Sequence, residues 1–465
     1  MDERFYSRPL DVNRISEYPE VQRMITYLFD EMKSSDQIGK SPRKKILKHL
    51  KVVVLDLYVA YLSDPLIYLG YSRSPRGYSK GTRLDQLYLG YRPMIRVVDG
   101  LESLGYLENH IGFYDQGKQS GYQSRMRATE KLLDLIQNHS VTPFMVERED
   151  EEVIVLRDRD KEDLPYEDTD ETRRMRKQLR SFNSFLGEFN LGLSCPQEEV
   201  RQIILDRKTN PIDYSRTRVY RKFKYDFSSG GRFYDGWWQE MPKDFRPYII
   251  IDDEPCSELD YSGQHLLLLY AIKGEEYYWL RGVGDPYEIK GLGEKGRDLM
   301  KQVVVCCVNA ESRQKALLAV RKEINLNYPG FTSASDFINP LIDTTLERHP
   351  VLADCFFSTM WKELQYKDSQ IAEYVLTDMK ARGQLALPVH DSFVVQDQYI
   401  AHLYATMKEA YRMLGINSIP DLKLKTGANT DLSQPSFLEL GRLMNREKIQ
   451  QEKELEAVKK LEDLI

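Results

Sequence analysis

The sequence predicts an α+β fold, in which a mainly helical N-terminal part precedes a domain with an antiparallel sheet and further helices. Two strand-like runs around a turn, 248–251 and 257–260, indicate the sheet, and a predicted hairpin over 385–395 adds two strands. Apolar residues at helical spacing over 46–62 and 91–104 indicate the N-terminal helices. A hydrophobic fraction of 41% is enough for a sizeable core.

A chain of 465 residues is too long for one ordinary domain, so we expect two or three. The segment 146–180 is rich in charged residues, which is typical of a linker, although 153–156 could form a strand and a helix is predicted to begin near Thr169. The predicted order is a helical lead-in (1–40), a mainly helical domain (41–145), the charged linker (146–180), the sheet domain (181–440) and a charged C-terminal helix (441–465).

Composition restricts the class of protein. The mean hydropathy is −0.54 and no apolar run has membrane-spanning length, so we expect no membrane partner. The first residues lack the apolar core of a signal peptide. The five cysteines are odd in number and show no paired spacing, which favours reduced thiols and no zinc site. These features together predict a cytoplasmic protein.

A net charge of −6 does not indicate nucleic-acid binding, but a local basic face matters more than the sum. Between 41 and 136 the predicted order is helix, helix, glycine-rich segment, basic strand and helix, which resembles a winged helix-turn-helix. Basic residues fall in its loops and wing, where phosphate contacts are made. An ordinary helical domain with solvated charges is the alternative. The basic residues are Arg73, Arg76, Lys80, Arg83, Lys118, Arg125 and Arg127.

Two carboxylates stand at the ends of apolar, strand-like runs. Asp260 ends the run 257–260, and Asp391 follows His390 at the tip of the predicted hairpin. A carboxylate in such a place is held rigidly and still faces a cleft. Two of them, from distant parts of a chain, suit two-metal phosphoryl chemistry, in which the ions lie about 3.5–4 Å apart. Alternatively, Asp260 caps the following helix and the pair 390–391 is only a turn.

A predicted helix over 293–308 places Arg297 and Lys301 four residues apart, and therefore on one face. Two cations on one face near two carboxylates suit the binding of a triphosphate. A solvated helix face is the alternative for this pair.

Over about 181–440, these pieces resemble the palm and fingers of family A DNA polymerases and phage-type single-subunit RNA polymerases. Asp260-Tyr261-Ser262 is similar to the first metal-binding motif, Arg297-x-x-x-Lys301 to the fingers-helix motif, and residues 389–393 (Val-His-Asp-Ser-Phe) to the last motif. Residues 284–287 also lie where the DNA enzymes carry Asp-x-His. A small phage, plasmid or integrated-element replication enzyme fits this resemblance, at the level of fold analogy.

The resemblance implies two Mg²⁺ ions on Asp260 and Asp391, with the Tyr261 carbonyl as a further ligand. It implies that Arg297 and Lys301 hold the phosphates of a nucleoside triphosphate, and that His390 supports the primer terminus. The other implied partner is a DNA template–primer or its RNA equivalent. Template and primer contacts are expected at Arg232, Gln239 and Arg246, and wing contacts at Arg125 and Arg127.

The sequence departs from the family at two places. The fingers-helix Tyr-Gly is replaced by Asn309 and Ala310. In the family, that Tyr stacks at the templating position and helps to choose the sugar, so neither role is assigned to a residue of this chain. At the sugar-gate position the DNA enzymes have Glu and the RNA enzymes Gly, whereas this chain has His265. A bulky His265 slightly favours a DNA product. The alternative function is a non-catalytic DNA-binding replication or regulatory protein with a polymerase fold.

Overall fold

The computed structural model describes residues 6–39, 41–79, 87–115, 117, 120–158, 162–275, 285–289, 291–358, 360–416 and 420–462. The chain is a mixed α/β protein that divides into two compact units. Unit 1 comprises Met1–Glu151, Cys195–Arg216 and Glu240–Phe245, and unit 2 comprises Glu152–Ser194, Thr217–Gln239 and Arg246–Ile465. The linker-like segment 146–180 contributes two strands and the first part of a helix.

The described helices are α1 (Pro19–Ser34), α2 (Arg43–Ser63), α3 (Tyr91–Ser103), α4 (Glu130–Asn138), α5 (Asp170–Leu186), α6 (Gln197–Arg207), α7 (Trp237–Glu240), α8 (Gln264–Ile272), α9 (Gly293–Asn309), α10 (Arg313–Asn327), α11 (Ser335–Arg348), α12 (Trp361–Ala381), α13 (Ile400–Met413) and α14 (Pro435–Glu462). The helices predicted over 46–62, 91–104 and 293–308 are confirmed as α2, α3 and α9. The C-terminal helix begins earlier than predicted, at Pro435. Within the described ranges, no helix is long and apolar enough to cross a membrane.

The described strands are β1 (Ser7–Pro9), β2 (Arg14–Ile15), β3 (Tyr68–Tyr71), β4 (Leu107–His110), β5 (Phe113–Asp115), β6 (Ser120–Tyr122), β7 (Ser124–Ala128), β8 (Glu147–Arg148), β9 (Ile154–Arg157), β10 (Leu191–Leu193), β11 (Tyr220–Lys224), β12 (Asp226–Tyr234), β13 (Ile249–Ile251), β14 (Glu254–Tyr261), β15 (Ala386–Val389), β16 (Ser392–Gln396) and β17 (Leu422–Lys425). The two strands around a turn and the hairpin are confirmed as β13–β14 and β15–β16.

Unit 1 contains a four-stranded sheet in the order β1-β3-β7-β4. β3 pairs antiparallel with β7, which pairs antiparallel with β4, whereas β1 is parallel to β3. Buried apolar residues of α1, α2 and α3 form much of its core, for example Leu28, Val53 and Val97. The predicted lead-in 1–40 therefore includes β1 and β2 as well as a helix. Lys80, Arg83 and Lys118 lie outside the described residues.

A buried ion network lies inside unit 1. Asp56 accepts two hydrogen bonds from the Arg8 guanidinium, at 2.8 and 2.9 Å, and one from Arg14 Nε at 3.1 Å. Its Oδ2 also accepts the backbone N–H of Asp11 at 2.7 Å. Arg14 lies 3.4 Å from Asp213 as well. Each buried charge in this network has an opposite partner, which offsets its desolvation cost.

Unit 2 is built around an antiparallel sheet in the order β10-β13-β14-β16-β15, in which β17 also pairs with β14. β16 lies along one edge of β14, while β13 and β17 share its other edge. A three-stranded sheet in the order β12-β11-β9 lies against α12, since Arg232 of β12 bonds Asp368 of that helix. Trp237 and Trp238 are buried in the interior of the protein.

All five cysteines are free, and four of them are buried: Cys256, Cys306, Cys307 and Cys355. Burial raises the pKa of the Cys307 thiol to about 12. A thiol with so high a pKa is almost entirely protonated at neutral pH and is a weak nucleophile.

Candidate active site

The pairing of β14 with β16 brings Asp260 and Asp391 to the same end of the sheet. Asp260 lies opposite Ser392, the residue that follows Asp391, and the Tyr261 N–H donates to the Asp391 carbonyl at 3.4 Å. Burial raises the pKa of the Asp260 carboxyl, and the negative charge of Asp391 adds to the rise. The negative charge of Asp391 is therefore close enough to act on the Asp260 carboxyl.

His390 and Asp391 form the two-residue turn between β15 and β16, where Val389 pairs with Ser392. His390 adopts a left-handed backbone with φ of 59°, which non-glycine residues rarely do. Its imidazole meets the Tyr234 ring edge-on, with the centroids 6.1 Å apart. Burial lowers the pKa of His390. A histidine with a strained backbone at an exposed turn tip is typical of a functional position.

Lys425 and Glu258 lie next to Asp260, and neither was predicted from the sequence as a site residue. The Lys425 ammonium is 2.9 Å from Asp260 Oδ2 and 2.8 Å from Glu258 Oε1. Ser392 Oγ donates to the same Glu258 oxygen at 2.6 Å. Glu258 precedes Asp260 by two residues and so shares its face of the strand, a signal that was readable in the sequence. Nothing in the sequence indicated that β17 would bring Lys425 here.

A cavity of about 270 Å³ opens beside this end of the sheet. Six of its lining residues belong to the predicted site: Arg232, Tyr261, His265, Lys301, Asn309 and Asp391. Helix α9 contributes Lys301 and Asn309, and the start of α8 contributes His265. The structure thus brings residues from four distant parts of the chain to one space.

His265 and Arg232 are neighbours in this cavity. Arg232 Nη2 lies 3.4 Å from His265 Nε2, so the imidazole accepts at Nε2. Burial, together with the charges of Arg232 and Lys301, lowers the pKa of His265 to about 4. The ring is therefore neutral at pH 7.

Asp368, which was not predicted from the sequence, binds two residues that line the cavity, Arg232 and Gln264. It is 2% exposed, accepts from Arg232 Nε at 2.5 Å and accepts from the Gln264 amide at 3.1 Å. Burial raises the pKa of its carboxyl, and Arg232 opposes that rise. In the sequence Asp368 is one of many polar residues of a long helix, so no local signal separates it from them.

Arg297 is not among the residues that line the cavity, although the Tyr287 ring beside it is. Its Nε donates to Asp285, and its guanidinium lies 5.7 Å from the centre of the Tyr287 ring. The side chain is 43% exposed, so it reaches solvent. The two cations of the predicted phosphate pair therefore have different surroundings, since Lys301 lines the cavity. Gly284, which precedes this segment, lies outside the described residues.

The residues predicted to contact nucleic acid do not form one cluster; some belong to unit 2 and others to unit 1. In unit 2, the Gln239 amide nitrogen donates to the carbonyls of Phe233 and Pro388, at 3.1 and 2.9 Å, and Arg246 lies 3.6 Å from Glu258. Gln239 thus joins two backbone segments.

In unit 1, both predicted wing residues lie on β7. Arg127 pairs with Glu108 at 2.8 Å and covers the Tyr68 ring, while Arg125 lies 5.2 Å from the centre of the Tyr122 ring. Each guanidinium therefore already has a partner within unit 1.

Among the described residues, no three His, Cys, Asp or Glu side chains are grouped so as to hold a metal ion. No protein-family model matches the chain, and no curated protein is significantly similar to it. The functional interpretation therefore depends on the geometry of this site.

Proposed function

We propose that the chain is a template-directed nucleotidyltransferase that adds nucleotides to a primer 3′-hydroxyl. The observation that supports this most is the convergence of Asp260 and Asp391 beside a cavity that Lys301 also lines. Paired carboxylates with a nearby cation suit in-line phosphoryl transfer from a nucleoside triphosphate. The substrates are a DNA template–primer, or its RNA equivalent, and nucleoside triphosphates.

The donor set fits Mg²⁺ rather than a metal that needs a full protein cage. Mg²⁺ keeps several waters and uses one or two carboxylates plus the substrate phosphates. Asp260 and Asp391 supply two carboxylates, and the unfavourable effect of the Asp391 charge on Asp260 favours a cation between them. Glu258 adds negative charge close by, although Lys425 already pairs with it.

Asp260, Asp391 and the Tyr261 carbonyl would hold two Mg²⁺ ions. When bound, these ions supply Lewis acidity, which favours ionisation of the primer hydroxyl and stabilises charge on the leaving pyrophosphate. Lys301 binds the phosphates as a fixed positive charge, and Arg297 joins it only when released from Asp285. His390, at the rigid turn, supports the primer terminus.

His265 favours a deoxyribonucleotide substrate. Its ring lines the cavity and is held by Arg232 at 3.4 Å, so it cannot swing away freely. Because burial keeps the imidazole neutral, it occupies space at the predicted gate position without attracting the phosphates. A ribose 2′-hydroxyl at this position would meet a bulky ring.

The topology is compatible with a palm and fingers in unit 2 and with a winged helix in unit 1. In unit 2, an antiparallel sheet carries the two carboxylates and a separate helix, α9, carries Lys301, as a palm and fingers would. In unit 1, helices α2 and α3 accompany an antiparallel β3-β7-β4 sheet whose hairpin includes β5 and β6, as in a winged helix. We infer that unit 1 binds duplex DNA and that unit 2 performs the transfer.

The proposal is tested by extension of a labelled primer–template with Mg²⁺, with deoxyribonucleotides compared against ribonucleotides. We expect extension by the unmodified chain and none by Asp391→Asn, because the substitution removes one metal-binding charge. Asp253→Asn, the same change on an exposed turn before β14, serves as the matched control and retains activity. Extension by Asp391→Asn at the normal rate would refute the proposed role of this carboxylate.

The alternative is a DNA-binding replication or regulatory protein whose polymerase-like unit does not catalyse. Two observations favour it: Asn309 and Ala310 replace the usual Tyr-Gly, and Lys425 already neutralises part of the charge at Asp260. Retained DNA binding, without extension on either DNA or RNA templates, would select this alternative.

A further inference from the structure

Helix α2 in unit 1 begins with an unusual concentration of positive charge. Five cations fall within its first nine residues, and its first turn contains no acidic residue. The N-terminal end of a helix carries partial positive charge, so cations in the first turn are unfavourable by roughly 0.3–1 kcal/mol each, which applies here to Arg43, Lys44 and Lys45. Helix stability therefore does not explain this pattern. The five residues are Arg43, Lys44, Lys45, Lys48 and Lys51.

Three of these cations face one cavity of about 290 Å³. Lys44, Lys48 and Lys51 recur at helical spacing and line it, whereas Lys45 does not. Lys44 and Lys48 are exposed, and Lys51 is half-buried with its ammonium donating to the Ser16 carbonyl at 2.8 Å. An anion at the mouth of this cavity would meet Lys44 and Lys48 first.

The floor of the cavity is apolar. Val12, Ile15, Leu47 and Leu87 line it and are only half-buried, so hydrocarbon surface stays open to the space. Gln22 adds a polar group at the edge, with its amide nitrogen donating to the Ser16 carbonyl at 2.9 Å. A small inorganic anion would leave this apolar surface uncovered.

The back wall of the cavity includes a rigid cation. Arg14 lines the cavity and is 2% exposed, and its guanidinium is fixed by Asp56 at 3.1 Å and by Asp213 at 3.4 Å. The buried ion network of unit 1 thus ends at this wall and holds it in place. Glu149 also lines the cavity, so one exposed carboxylate stands beside the ammonium groups of Lys44 and Lys48. A preformed space with an apolar floor and a predominantly cationic rim suits a flat, partly apolar ligand that carries phosphate.

We propose that this cavity binds a nucleotide, with the base on the apolar floor and the phosphate against Lys44 and Lys48. Its volume is close to the lower end of the roughly 300–1,000 Å³ of small-molecule sites, which suits a base and its sugar. The nucleotide is either a free nucleoside phosphate or one residue of a single strand. This site lies wholly within unit 1 and is independent of the proposed transfer reaction.

The test measures binding of fluorescein-labelled ATP, and separately of labelled oligothymidylate, by the full chain in EDTA at low salt. Lys301→Ala is present in every protein, so that the cavity of unit 2 contributes little. We expect Lys44→Ala with Lys48→Ala to weaken binding about tenfold or more, because two charge-assisted contacts are lost. The matched control, Lys45→Ala, removes a charge from the same helix away from the cavity, and we expect a change below about threefold.

Two further measurements make the result specific. Tripolyphosphate, which has no base, should compete at least about tenfold less well than ATP, and Leu47→Gln should weaken ATP binding without altering the circular dichroism spectrum. Tighter binding of the oligonucleotide than of ATP would identify single strands as the source of the nucleotide, and the reverse would identify the free nucleotide. Equal losses for Lys45→Ala, or equal competition by tripolyphosphate, would overturn the proposal.

Discussion

The ammonium nitrogen of Lys425 lies 2.9 Å from Asp260 Oδ2 and 2.8 Å from Glu258 Oε1, so one lysine bridges two carboxylates of β14. This pairing opposes the rise in the Asp260 pKa that burial causes. A divalent cation on Asp260 must therefore share the carboxylate with Lys425 or displace it. The balance between these two cations decides how readily the site takes up metal.

We expect Lys425→Met to increase the affinity for Mn²⁺, used as a paramagnetic substitute for Mg²⁺, by about threefold. The effect is modest because Lys425 is 42% exposed and its ion pairs are weakened by solvent. Electron paramagnetic resonance of free Mn²⁺ during titration measures the affinity directly. Lys273→Met, which removes a comparably exposed lysine that pairs with Asp354 at 2.6 Å, is the control and should change it less. Weaker binding in Lys425→Met would mean that the lysine helps to organise the site instead of competing with the metal.

A second prediction concerns the pair Arg232–Asp368. Because Asp368 is 2% exposed, Asp368→Asn leaves a largely buried guanidinium without its counter-charge, and we expect unit 2 to lose about 3 kcal/mol or more of unfolding free energy. Urea unfolding monitored by tryptophan fluorescence measures this, because all four tryptophans fall in the ranges of unit 2.

The control for this pair is Asp378→Asn on the same helix, where Asp378 pairs with Arg382 at the surface, and it should cost about 1 kcal/mol or less. Arg232→Met combined with Asp368→Asn should be less destabilised than the sum of the two single changes, by about 1–3 kcal/mol. Strict additivity would show that the two residues act independently.

Local patterns predicted the elements that carry the candidate site. Asp260 and Asp391 follow apolar runs bounded by turn residues, and those runs are strands β14 and the β15–β16 hairpin. The spacing of Arg297 and Lys301 likewise predicted one helix, α9. The formation of these strands and of this helix depends on residues that are close in sequence, so it can be predicted from the local pattern.

The contacts that could not be predicted from the sequence are those between residues far apart in the chain. Lys425 reaches Asp260 only through the register between β17 and β14, and Asp368 reaches Arg232 only through the packing of α12 against β12. Arg297 shows the same limit, since its position on α9 was predicted but its bond to Asp285 was not. Local periodicity contains no information about which distant charge a side chain meets.

A third prediction concerns acid sensitivity. Burial lowers the pKa of His349 to about 4, and its Nδ1 lies 3.1 Å from the Tyr270 hydroxyl. Between pH 6.5 and 4 the unfolded chain therefore binds a proton at this residue that the folded chain does not. Unfolding free energy must fall as the pH decreases through this window, by up to about 3 kcal/mol for this residue.

We expect His349→Phe to reduce that dependence, because phenylalanine cannot take up a proton. Urea unfolding at pH 4.5, 5.5 and 6.5 measures the slope for both proteins. His265, whose pKa is also lowered to about 4, is present in both and cancels in the comparison. The loss of the bond to Tyr270 alters stability at every pH and so leaves the slope unaffected. Parallel slopes would refute the assignment to His349.

The last prediction concerns the turn that holds Asp391. His390 has φ of 59°, a conformation that glycine adopts freely and that β-branched residues resist. His390→Gly and His390→Val both remove the imidazole, so their difference isolates the backbone. We expect the valine variant to be less stable by about 1–2 kcal/mol in urea unfolding.

Primer extension distinguishes the ring from the turn in the same two variants. If the imidazole supports the primer terminus, both variants lose activity, and His390→Val loses more because its strained turn displaces Asp391. Full activity in His390→Gly would show that only the turn is needed. Equal stability of the two variants would mean that the hairpin relaxes around residue 390, in which case the left-handed turn does not fix the position of the carboxylate.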